Sequence, residues 1–97
     1  MLADRMPSGD MNRQKTAKKL IAYYLADAGY IGEDGEPITV EDLYVVWFCK
    51  TLQNWKALLS TDKITTGIYF EVTYNGDKAE AYVDHYRKVV NTRFALG

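Results

Sequence analysis

Ile68-Tyr69-Phe70-Glu71-Val72-Thr73-Tyr74-Asn75-Gly76-Asp77-Lys78-Ala79-Glu80-Ala81-Tyr82-Val83 alternates apolar and polar side chains on either side of an Asn-Gly pair. A period of two belongs to a strand with one wet face, and Asn-Gly is the favoured pair for a two-residue type I′ turn. The segment therefore reads as a β-hairpin with Tyr74 opposite Asp77. The pairs that follow are Thr73 with Lys78, Val72 with Ala79, Glu71 with Glu80, Phe70 with Ala81 and Tyr69 with Tyr82. One face couples large residues to small ones and leaves room for a helix. The other presents Tyr69, Glu71, Thr73, Lys78, Glu80 and Tyr82 to water.

Upstream, residues 43–52 form an apolar, β-branched and aromatic run with Leu43, Val45, Trp47 and Cys49 on one side and Tyr44, Val46 and Phe48 on the other. Apolar residues on both sides predict a strand covered on both faces. Gln53-Asn54 turns the chain, and residues 55–61 return as a second strand, followed by a polar loop at 62–67. Thr39 with Asp42 resembles a capping box, but the β-branched run after it limits the helix to one turn. Residues 30–38, with Gly32, Asp34-Gly35 and Pro37, are a loop or tight hairpin.

Ala17, Leu20, Ile21, Tyr24, Leu25 and Ala28 recur at intervals of three and four, with Lys15, Lys18, Lys19 and Asp27 between them, which is the pattern of an amphipathic helix over residues 11–28. Gly29 stands where a left-handed C-terminal cap is wanted. Beyond the hairpin, Asp84 can cap a last helix whose Tyr86, Val89, Val90 and Phe94 make an inward stripe. Residues 1–10 show no apolar period and read as a disordered leader. The expected fold is α+β: N-terminal helix, four-stranded antiparallel meander and C-terminal helix, with both helices on one face of the sheet.

The length of 97 residues suits one domain, residues 11–97. A domain of this size buries only about 60 to 65% of its unfolded surface, so assembly with a partner would add stability. Eight Tyr, three Phe and two Trp supply apolar area with polar handles, useful in cores and interfaces alike. The formal net charge of −1 gives no global basic field for nucleic acid or anionic lipid. Charge is segregated, with Arg13, Lys15, Lys18 and Lys19 early and Asp27, Glu33, Asp34, Glu36, Glu41 and Asp42 following, a solvated helix face and then an acidic loop. No stretch approaches the roughly 18 apolar residues of a membrane span, and no signal-peptide core is visible. With its single cysteine, Cys49, read as a buried thiol, a cytoplasmic setting is expected.

Catalytic chemistry finds little purchase. His85 is the only histidine and Cys49 the only thiol, so neither a zinc cluster nor a supported Cys/His pair can be assembled. His85 is expected to cap or line the final helix at the surface. Glu71 opposite Glu80 is the oddest feature, because like charges directly across a strand pair oppose folding. It admits a cation or a basic partner flanked by Tyr69 and Tyr82, or neutralisation by Lys78, Lys50 or Lys56. Gly32-Glu33-Asp34-Gly35 is acidic and lacks the lysine of a phosphate loop. No cofactor is expected.

Val45-Val46-Trp47, Lys50-Thr51-Leu52-Gln53-Asn54, Lys56-Ala57-Leu58-Leu59-Ser60-Thr61, Thr73-Tyr74-Asn75-Gly76-Asp77-Lys78 and Tyr82-Val83-Asp84 together resemble a family of small uncharacterised phage and prophage proteins of Gram-positive bacteria. The similarity runs over roughly residues 40–90. It implies a biological setting and no activity, ligand or catalytic residue. The expected function is that of a non-enzymatic accessory protein that binds a host factor or a component of antiviral defence, with Tyr69, Glu71, Glu80, Tyr82 and Trp55 as the partner-binding candidates. Either the acidic loop folds over the second apolar side of the first strand or a second copy covers it, and a homodimer is the expectation. One alternative is a nucleic-acid binder using Arg13, Lys15, Lys18, Lys19, Lys50 and Lys56; another is a metal or enzymatic site at Glu71 and Glu80.

Overall fold

The computed structural model describes residues 9–64 and 67–97. Helix α1 spans Gly9–Asp27, so Gly9 and Asp10 belong to the helix, and the rest of the expected leader lies outside the described residues. Residues 65 and 66 of the expected polar loop lie outside them too. After α1 come a 3-10 turn at Val40–Asp42 and four strands, β1 Leu43–Thr51, β2 Asn54–Thr61, β3 Ile68–Asn75 and β4 Glu80–Arg87. The strands form one antiparallel meander in the order β1-β2-β3-β4.

Helix α1 ends as its glycine predicts. Gly29 has φ +81°, and the N–H of Tyr30 donates to the Leu25 carbonyl at 2.9 Å while that of Gly29 donates to Ala26 at 3.2 Å. These two bonds satisfy carbonyls the last helical turn leaves unpaired. The Thr39 N–H donates to the Asp42 carboxylate at 2.8 Å, and one 3-10 turn follows before β1 begins.

The core lies between the helix and one face of the sheet. Ala17, Ile21 and Leu25 of α1 share a single buried cluster with Trp55, Ala57 and Leu59 of β2, Ile68, Phe70 and Val72 of β3, and Leu43 and Ile38. Spacing of four along the helix and two along each strand is what a one-sided core requires. Glu71, by contrast, faces outward with Tyr69 and Thr73.

The hairpin register departs from the expected one. The loop is not the two-residue Asn-Gly turn but residues 76–79, with Asn75 opposite Glu80, Val72 opposite Val83, Phe70 opposite His85 and Glu71 opposite Asp84. Asn75 instead makes a local turn, its side-chain oxygen accepting from the Asp77 N–H at 3.0 Å. Strand β4 has slid by four residues, an even number, so every side chain keeps the face assigned to it. The slide replaces Ala79 and Ala81 opposite the core with Val83 and His85, which offer more surface to bury.

The same slide removes the C-terminal helix. Asp84, expected as its cap, is a strand residue paired with Glu71, and Tyr86 is paired with Tyr69. Residues 88–97 lie beyond β4. They carry no regular structure and are exposed throughout.

Among the described residues, two non-glycine residues hold left-handed backbone, Leu52 at φ 56° and Ala79 at φ 52°. Leu52 sits in the β1–β2 turn, where Thr51 pairs with Asn54, and Ala79 closes the β3–β4 loop. Both side chains are exposed, so nothing is packed away in return for the strain. Leu52→Gly and Ala79→Gly should each raise stability by roughly 0.5 to 1 kcal/mol, read as a higher urea midpoint. Phe70→Ala, which empties the centre of the core, should lower it by about 3 to 5 kcal/mol; an unchanged midpoint there would refute the core assignment.

Candidate functional site

The face of the sheet away from α1 is uncovered. Strand alternation and register place Tyr44, Trp47 and Cys49 of β1, Lys56 and Leu58 of β2, Tyr69, Glu71 and Thr73 of β3, and Glu80, Tyr82, Asp84 and Tyr86 of β4 on it. Tyr44, Trp47, Tyr82 and Tyr86 are each about half exposed. Strand β1, expected to be covered on both sides, is therefore covered on one. Cys49 is correspondingly an exposed thiol rather than a buried one. A register shift between Val45 and Trp47 inserts Val46 as an extra residue, which adds its exposed side chain to the rim.

Four of the five residues expected to bind a partner share this face: Tyr69, Glu71, Glu80 and Tyr82. Trp55 does not. It is buried on the helix side, its ring 5.5 Å from that of Tyr74 in a near-parallel stack and 6.0 Å from Phe48. The sequence reading missed Trp47 and Tyr86. The first was hidden by the bulge, which interrupts the period of two, and the second by its assignment to a helix.

The face is acidic at its centre. Glu71 lies 3.7 Å from the Lys56 ammonium and accepts a long bond from the Tyr86 hydroxyl at 3.4 Å. Glu80 accepts from Tyr82 at 2.8 Å. The Asp84 carboxylate, then Glu71, holds the Tyr86 phenol above its ordinary pKa, and the bond to Glu80 does the same for Tyr82. A phenol pushed up in this way senses negative potential. Glu71 and Glu80 are not partners across the hairpin, and no three His, Cys, Asp or Glu side chains gather to hold a metal ion among the described residues.

The basic candidates are divided. Arg13 and Lys50 line a groove of about 690 Å³ with Asn12, Thr16, Trp55 and Tyr74, although Arg13 is paired with Asp10 at 3.1 Å and the Lys50 ammonium donates to the Leu52 carbonyl. Lys15, Lys18 and Lys19 border Val40 and Glu41. Lys56 is on the opposite face of the sheet. The six do not form one surface.

Both hairpin turns meet at one end of the sheet. The Gly76 N–H donates to the Asn54 side-chain oxygen at 2.8 Å, and Gln53 donates to the Asp77 carboxylate. A Cβ at Gly76 would fall 2.3 Å from the Gln53 carbonyl oxygen, so only glycine permits this approach. At the other end the acidic loop is tied down. Lys63 donates to Asp34 and lies 3.9 Å from Asp42, while the Glu33 N–H donates to the Lys63 carbonyl at 2.7 Å.

His85 points to the core side of β4 instead of lining a helix. It shares a 2.8 Å hydrogen bond with the Tyr24 hydroxyl, and the rings of Phe70, Tyr30 and Tyr24 stand 4.8, 5.4 and 5.6 Å away. The arrangement joins α1, the loop after it and two strands.

A family of unknown function (DUF6275) matches residues 14–96, so the chain belongs to that family. The match runs from the first turns of α1 through the residues beyond β4. No curated protein and no solved structure matches the chain. Among the described residues, no helix is long and apolar enough to cross a membrane.

Burial, and then the neighbouring Arg87 charge, push the His85 pKa below its ordinary value, which is about 6.5. The unfolded chain therefore takes up this proton first as the pH falls. The stability held by neutral His85 should be complete above pH about 6.5 and be lost as the pH drops through the folded value. A His85→Gln variant should lack this fall in urea titrations across that window. A wild-type profile that stays flat until the carboxylates titrate would contradict the buried, neutral imidazole.

Proposed function

We propose that the chain is a non-enzymatic accessory protein of a phage or prophage that works in the host cytoplasm by binding another protein on the open face of its sheet. The observation that carries this reading is the uncovered face itself, where Tyr44, Trp47, Tyr82 and Tyr86 surround the carboxylates of Glu71, Glu80 and Asp84. Aromatic side chains bury large area with few rotors to freeze, which is why they dominate protein contacts. The carboxylates among them set the sign of the partner, which should present cations beside apolar side chains. The same carboxylates oppose a phosphate backbone, which disfavours base stacking on this sheet. The partner expected is a host factor or an antiviral component that presents such a surface.

The test is capture from a lysate of a Gram-positive host by the immobilised chain. Trp47→Ala/Tyr82→Ala should abolish capture of whatever protein the wild-type chain retains, while Lys15→Ala/Lys19→Ala on the helix should leave it intact. Both pairs are surface changes, so far-UV circular dichroism should be unaltered. Capture that ignores the sheet-face substitutions, or is abolished by the helix pair, overturns the reading.

A further inference from the structure

Residues 88–97 are a second unpartnered surface. The Lys88 N–H donates to the Gly67 carbonyl at 2.7 Å, the last backbone tether before the chain leaves the sheet. Beyond it Val89, Val90, Phe94 and Leu96 are among the most exposed large apolar side chains of the protein, Phe94 at 79% and Leu96 at 93%. An apolar strip held in water is unfavourable unless something covers it. Lys88 and Arg93 are its charged side chains, and it contains no Asp or Glu.

The open face has the opposite character. It offers exposed Trp47, Tyr44, Tyr82 and Tyr86 with Glu71, Glu80 and Asp84 against Lys56 alone. Glu71 and Glu80 already have partners. Asp84 makes no ion pair among the described residues. The strip leaves from the end of β4 remote from the β3–β4 loop, and its side chains are exposed throughout. Fully extended, its ten residues reach about 30 Å, more than the roughly 15 Å across four strands.

We infer that residues 88–96 of one copy lie across the open sheet face of a second copy, reciprocally, so that the protein is a tail-exchanged homodimer in which Arg93 meets Asp84 and the Val89, Phe94 and Leu96 side chains cover the exposed aromatics. This rests on the docking role proposed for that face and names its first occupant. Exchange satisfies both surfaces twice over with one two-fold axis and leaves no open end to propagate. It also makes the second copy's strip a competitor of any foreign partner with the same basic, apolar chemistry.

The experiment is sedimentation velocity of the full chain and of two kinds of variant. The full chain should sediment as a dimer and a chain ending at Arg87 as a folded monomer. Arg93→Glu should weaken the dimer by about tenfold or more, and adding Asp84→Lys to Arg93→Glu should restore it, an outcome that general damage to folding would not give. Cys49, the single thiol, supplies a second readout. A short bismaleimide should join wild-type Cys49 to the thiol introduced by Ala95→Cys in a Cys49→Ser background, between chains. A monomeric full chain, a dimer that survives removal of residues 88–97, or no gain from the charge reversal overturns the inference. A monomer whose partner capture is still abolished by Trp47→Ala/Tyr82→Ala overturns this inference alone. A tail-dependent dimer whose foreign capture ignores those substitutions upholds it and overturns the proposed function.

Discussion

One helix cannot cover two faces of a four-stranded sheet. Ala17, Ile21 and Leu25 seal the side that carries Trp55, Ala57, Leu59, Ile68, Phe70 and Val72 into a single core, and the opposite side is left to water. Most of what is distinctive in this protein follows from that imbalance. The core is one layer deep and depends on the alternation of β2 and β3 being strict. The outer face must then be polar enough to be tolerated in water, yet it retains Trp47 and three exposed tyrosines. Carboxylates placed between aromatics keep such a surface wet without making it uniformly polar.

The parity of the hairpin explains why a mistaken register still left the faces correctly sorted. Asn75-Gly76 promises a two-residue turn, but the Gly76 N–H is taken by Asn54 and Asp77 by Gln53, both from the neighbouring β1–β2 turn. These are contacts between turns distant in sequence, invisible to a local rule about Asn-Gly. They favour the longer loop, and the strand slides by an even number. Phe70 and Val72 stay inside and Glu71 stays outside. Helix α1, its glycine cap and the limits of β1 and β2 were legible because each rests on near neighbours. The fate of residues 84–97 was not, because an Asp-led amphipathic stripe is equally a strand and an extended strip once β4 has claimed Asp84 and Tyr86.

The candidate site was legible to the same extent and for the same reason. Tyr69, Glu71, Glu80 and Tyr82 follow from alternation alone. Trp55 was misplaced because an aromatic beside a turn reads as surface, whereas Tyr74 and Phe48 enclose it. Cys49 was misread in the opposite sense. A run apolar on both sides suggests a strand covered on both faces, but β1 has one bare face. His85, assigned to a helix surface, is instead the polar member of an aromatic cluster, where Tyr24 satisfies one ring nitrogen and desolvation keeps the imidazole neutral.

The two ends of the sheet are fastened differently, and this bears on where a partner can act. At the turn end, Gly76 against Gln53 admits no side chain at all, and Gln53 and Asn54 hydrogen-bond the neighbouring loop. At the opposite end, Lys63 gathers Asp34 and Asp42, which keeps the acidic loop at the sheet's end rather than over its face. Both fastenings leave the outer face unobstructed while fixing the strands that compose it. Docking onto such a surface orders little that is not already ordered, so the free energy of burying its aromatics is not consumed by immobilising the backbone beneath them. The protein thus presents an apolar, acidic surface on a fixed framework of strands, an arrangement costly for an isolated monomer and favoured wherever a basic, apolar surface covers it.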